Sequence, residues 1–148
     1  MSVQEIEEYF PRIAVQDYRI TSPDLAHYNC IAWASGDTSH WWEPVSVKGY
    51  FWPDGVPRNG RLESWIRVFI VQGFELVDNG QLEDGFEKVA IYADEDREGK
   101  HVARQLPSGK WTSKLGKLED IEHLNLACLE GPLYGSVAVY LKRQTISK

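Results

Sequence analysis

The chain has 148 residues, 43% of them hydrophobic and 12% aromatic, with a formal net charge of −6. That length suits one domain, residues 1–148, and the apolar share suffices for a real core, which excludes a disordered chain. The acidic balance excludes nucleic acid as the main partner, and the lack of about 18 consecutive apolar residues gives no expectation of a membrane partner.

Ser2 and Glu5 match the capping box that opens a helix, and Pro11 stops it. A weak strand is expected around Tyr18–Ile20, and Thr21-Ser22-Pro23-Asp24 reads as a turn. The next helix begins at Asn29, a good N-cap residue, which makes Cys30 the first helical residue. Gly36 ends it, and residues 37–57 form a long irregular segment rich in tryptophan, glycine and proline. Leu62, Trp65, Ile66, Phe69 and Ile70 trace the apolar stripe of a helix over 61–72, closed by Gly73.

Beyond it the sequence reads as antiparallel sheet. Strands are expected at 74–77, 86–93, 101–106, 110–115 and 136–141, with a hairpin turn at Pro107-Ser108-Gly109 and a short helix within 118–128. The plan is α+β, with N-terminal helices packed on an antiparallel sheet.

The chemistry centres on Cys30. A thiol at a helix start is expected to ionise more easily, because exposed N–H groups there favour negative charge. A histidine could take its proton, and the candidates are His27, His40, His101 and His123. His101 is the best placed, since it opens a strand at the sheet edge. The hairpin sets it opposite Ser113 or Lys114, and Ser113 could hydrogen-bond the imidazole. His123 could face either the site or solvent. Cys128 is expected in the core. Trp41 and Trp42 would either pack the long loop or wall a cleft.

No metal or cofactor is expected. His27 and Cys30 share a His-x-x-Cys spacing, but no second pair follows, and Asp94-Glu95-Asp96 lacks the spacing of a calcium loop. With only two cysteines and no signal-peptide pattern, free thiols in the cytoplasm are expected.

The order of Cys30 at an early helix start and His101 opening a later strand resembles the papain-like cysteine hydrolase superfamily. Asn29-Cys30-Ile31-Ala32-Trp33-Ala34, Trp41-Trp42-Glu43-Pro44 and the segment from His101 through Gly109–Gly116 to Ile121-Glu122-His123 are similar to segments of its small bacterial members. The resemblance covers roughly residues 28–141. It implies a papain-like fold and a thiol hydrolase or acyltransferase acting on a peptide-like or other amide substrate, with Cys30 as nucleophile and His101 as base. Ser113 would be a third member. Asp24, and no glutamine, stands in the region before the cysteine, so Asn29 or helix-start N–H groups would form the oxyanion hole, beside Trp41 and Trp42. The other expectation is a non-catalytic module on the same scaffold that binds a protein partner through its tryptophans.

Overall fold

The computed structural model describes residues 3–13, 18–22, 28–37, 40–44, 50–115 and 120–145. Ser2 of the expected capping box, Pro23 and Asp24 of the expected turn, and His27 lie outside them. The chain runs α1 (Val3–Tyr9), β1 (Tyr18–Ser22), α2 (Cys30–Ala34), β2 (Trp41–Trp42), β3 (Tyr50–Phe51), α3 (Leu62–Ile70) and β4 (Glu75–Val77). It continues with β5 (Phe86–Ala93), β6 (Gly99–Gln105), β7 (Trp111–Lys114), β8 (Asp120–His123), a 3-10 turn (Ala127–Leu129) and β9 (Ser136–Gln144).

Seven strands form one sheet in the order β1-β8-β7-β6-β5-β9-β4. Every neighbouring pair is antiparallel. β2 and β3 form a separate parallel pair. This corrects the expected α+β, papain-like plan of helices packed on a sheet: the molecule is β-rich, with few and short helices. Each helical stretch is halted early. Pro11 follows α1, Gly36 at φ 81° follows α2, and Gly73 at φ 97° follows α3. The short helix expected within 118–128 is also corrected. Its described part is strand β8 followed by the 3-10 turn. Residues 116–119 lie outside the described set.

The sheet separates two cores. One gathers Cys30, Ile31, Trp42, Trp52, Leu62, Trp65, Val68 and Phe69 against Val89, Ile91, Val102 and Leu141. The other gathers Ile6 and Phe10 with Ala90, Tyr92, Ala103, Trp111, Ile121, Cys128, Leu129 and Tyr134. Alternation along a strand sends Val102 to the first core and Ala103 to the second.

Hydrogen bonds latch α2 to the sheet. The Tyr28 hydroxyl donates to Asp120 Oδ2 at 2.7 Å, and the Trp33 indole donates to Thr112 Oγ1 at 3.1 Å. Two glycines allow close approaches around the future site. A Cβ on Gly99 would stand 2.4 Å from the Trp65 ring. One on Gly135, already at φ 72°, would stand 2.2 Å from the Ala93 carbonyl oxygen.

Candidate functional site

Asn29 sets the start of α2. Its Oδ1 accepts from the Ala32 backbone N–H at 3.1 Å, the N-cap bond expected of asparagine. Its Nδ2 donates to the Trp42 carbonyl at 2.7 Å. The side-chain amide thus clamps the helix start to β2, and its donor is committed to that clamp.

Cys30 lines an open pocket of about 250 Å3 together with Asn29, Trp41, Trp42, Trp65 and Tyr134. The Trp41 indole donates to Glu43 Oε1 at 2.8 Å, and the buried Trp42 indole donates to Asp37 Oδ2 at 2.8 Å. Both tryptophans therefore wall this cleft. A larger groove of about 680 Å3 lies between the Leu82–Glu87 segment and the Arg104–Pro107 turn, and it contains neither cysteine nor any histidine.

Cys30 is 9% exposed. Burial pushes it up to about 11, opposed by backbone N–H groups of Val102, Ile31 and Cys30 itself and assisted by the nearby Glu43 charge. The expected easy ionisation is not what burial produces here. α2 has five residues, too few for a strong dipole, and desolvation outweighs it. At neutral pH the proton stays on the sulfur.

His101 is fully buried, and its ring lies against the second core. It stacks on Tyr134 with centroids 4.2 Å apart and planes 5° apart, and it tilts against Tyr92 at 5.3 Å. The structure brings Ser113 to it: His101 Nε2 and Ser113 Oγ are 2.9 Å apart. It does not join Cys30 to it by a hydrogen bond. Thiol and imidazole sit on the two sides of β6, bridged by Tyr134, which lines the thiol pocket and covers the ring. The β6–β7 ladder pairs Arg104 with Thr112 and Gln105 with Trp111, a register that sets Ser113 across from Ala103, so Ser113 reaches His101 diagonally and not from the expected opposite position. A bulge opposite Tyr92/Ala93 re-aims the start of β6.

Ser113 Oγ also lies 2.8 Å from His123 Nε2, and His123 Nδ1 lies 2.8 Å from the Asn125 carbonyl oxygen. This chain can be read for its protons. A carbonyl only accepts, so His123 Nδ1 carries the hydrogen. Burial holds His123 down to about 4, against the Asn125 bond, so the ring is neutral and Nε2 is a bare acceptor. The Ser113 hydroxyl therefore donates to His123. Ser113 must then accept from His101, whose Nε2 carries the hydrogen. Burial, with His123 adding to it, holds His101 well below its ordinary value, so this ring is neutral too. Its Nδ1 is left as an unprotonated base, buried and without a hydrogen-bond partner among the described residues.

The other candidates stand apart. His40 is exposed, with Nδ1 3.0 Å from Asp37 Oδ2. Cys128 is buried, and its S–H donates to the Asn125 carbonyl at 3.2 Å. Among the described residues no three His, Cys, Asp or Glu side chains are grouped to hold a metal ion. Among the described residues no helix is long and apolar enough to cross a membrane.

Sequence reasoning missed the part played by His123 and Tyr134. His123 lies on the same face as Ser113 once β7 pairs with β8, Ser113 facing Ile121. Tyr134 is presented by a loop that Gly131 and Gly135 close with reciprocal hydrogen bonds of 3.0 and 2.8 Å. The only hint in the sequence is an aromatic residue inside a glycine-bounded pentapeptide.

A family model described as "Domain of unknown function (DUF7689)" matches residues 19–142. The chain belongs to that family. The match spans Asn29, Cys30, the tryptophan pair, the histidine chain and Tyr134. The comparison with curated proteins and the comparison with solved structures each returned no match.

Proposed function

We propose that this DUF7689 protein is a thiol hydrolase or acyltransferase acting on an amide or peptide-like carbonyl, with Cys30 as nucleophile and His101 as base. The observation that carries this reading is the directed chain from the Asn125 carbonyl through His123 and Ser113. It leaves a bare Nδ1 on a buried, aromatic-clamped imidazole one residue from Val102, whose N–H favours the Cys30 thiolate.

In this mechanism the Cys30 sulfur attacks the carbonyl carbon as its proton passes to His101 Nδ1, a transfer that requires the start of β6 to move so that the sealed ring reaches the pocket. The tetrahedral oxyanion collapses, and Nδ1–H gives its proton to the leaving amine. A thioester remains, which water or another acyl acceptor attacks with His101 again as base. A neutral resting pair is consistent with this, because proton transfer accompanies attack and does not precede it. Glu43 at the pocket wall suits a neutral or cationic substrate, and two buried cysteines outside any disulfide suit the cytoplasm.

A second reading has its own support. The thiol held near 11 and the absence of a bond to His101 favour a non-catalytic pocket that captures a protein partner between Trp41 and Trp42.

Treatment with p-nitrophenyl acetate, followed by intact-mass measurement, separates the two. The thiol-enzyme reading expects one acetyl group on Cys30, none on Cys30→Ala, and release of p-nitrophenolate beyond one equivalent. No acetylation, or acetylation unchanged in Cys30→Ala, contradicts it and leaves the binding reading.

A further inference from the structure

Attack on a carbonyl creates an oxyanion, and the pocket must supply hydrogen-bond donors for it. Asn29 cannot give its side-chain amide without releasing Trp42, since Nδ2 is held by that residue's carbonyl at 2.7 Å. The Trp41 and Trp42 indoles are likewise committed, to Glu43 and Asp37. Trp65 Nε1 is sealed away from the pocket as a buried atom.

Tyr134 differs from all of these. It is 9% exposed and lines the pocket beside Cys30. Its hydroxyl makes no hydrogen bond with any described residue, and it is not among the sealed polar atoms of the core. The ring is fixed on both sides, by the parallel His101 imidazole at 4.2 Å and by Phe10 at 5.0 Å. The loop that carries it is closed by the Gly131–Gly135 hydrogen bonds. A donor held this way needs no reorganisation when charge develops. Burial, with the Cys30 charge second, keeps the phenol protonated well above its ordinary range, so it stays a donor throughout the neutral range.

We infer that Tyr134 is a catalytic residue of the Cys30 site, its O–H donating to the oxyanion formed when the thiol attacks an acyl carbon. The inference rests on the reading of Cys30 as nucleophile. During the step the S–C bond forms, the carbonyl π pair moves to oxygen, and the Tyr134 hydroxyl donates a hydrogen bond without losing its proton. The proton lost by sulfur goes to His101 Nδ1. Collapse returns the pair and expels the leaving group.

Tyr134→Phe tests this, because phenylalanine keeps the stack on His101 and loses only the hydroxyl. Two reactions of Cys30 are compared in the full chain. Acylation by p-nitrophenyl acetate passes through an oxyanion, whereas alkylation by iodoacetamide at a saturated carbon does not. The expected result is acylation slowed about 10²–10³-fold, with alkylation within about twofold of the parent. Equal acylation in parent and variant overturns the inference, as does an equal loss in both reactions, which would assign Tyr134 to packing or thiol positioning. A parent that is never acylated at Cys30 overturns the proposed function itself and this inference with it. A urea midpoint close to the parent's shows that the variant is folded.

Discussion

The molecule's two buried cysteines lie in different cores on either side of the sheet, and they differ in the proton carried by the histidine each is read against. Cys128 lies 3.9 Å from His123 Nδ1, close enough for a thiol–imidazole contact. That nitrogen already carries a hydrogen and gives it to the Asn125 carbonyl at 2.8 Å, so it cannot take another from Cys128. Cys30 has no such contact; the bare Nδ1 of His101 is sealed across β6, and Cys30 lines an open pocket. On the proposed reading, the direction of the hydrogen-bond chain leaves a base for Cys30 and none for Cys128.

The largest effect expected from breaking this contrast comes at His101. Replacing it in His101→Gln keeps a donor toward Ser113 and removes the base. Acylation of Cys30 by p-nitrophenyl acetate should fall about 10²–10⁴-fold, read from the rate of p-nitrophenolate release. A variant as fast as the parent would leave Cys30 no better provided for than Cys128.

A second test uses protons. In the unfolded chain a histidine takes up its proton near 6.5, whereas folded His123 waits until about 4. Between those values the unfolded state binds more protons, so stability is complete above about pH 6.5 and is lost as pH falls through the window. His101, also shifted downward, acts in the same direction. The slope should approach about 1.4 kcal/mol per pH unit for each histidine involved. Urea titrations at intervals from pH 7.5 to 4 read it. A flat profile would mean that the rings are not buried neutral.

A smaller effect is expected at the link between the two histidines. Ser113→Ala removes the hydroxyl that joins the rings and leaves two buried ring nitrogens without partners. It should cost about 1–3 kcal/mol in urea denaturation. It should also slow acylation by less than His101→Gln does, because the base is still present but its tautomer is no longer fixed. Unchanged stability and rate would show that the chain is not what orients His101.

Much of the local structure was legible from the residues. The apolar stripe of α3, the Asn29 cap and the Pro107–Gly109 hairpin follow from periodicity and turn chemistry, although the register differs from the expected one and Ser113 meets His101 diagonally. The global class was not legible. β1 pairs with β8, a partner about a hundred residues away, and nothing in a short segment such as Tyr18–Ser22 announces that partner. The segment around Ile121 carries acidic residues that read as helical, but pairing on both sides fixes it as a strand. The raised thiol was hidden for a similar reason. The cap could be read at Asn29, whereas the burial that outweighs it comes from Trp42, Trp65 and Val102, each from a different element. Tyr134 depends on Gly135 meeting the Ala93 carbonyl, a contact that only the folded sheet creates.

The central claim is the placement of one proton, and nitrogen NMR of the imidazole rings in uniformly 15N-labelled protein at neutral pH reads it most directly. His101 should show a protonated Nε2 and an unprotonated Nδ1, while His123 shows the reverse. A His101 signal with the hydrogen on Nδ1, or a ring protonated on both nitrogens, would contradict the account.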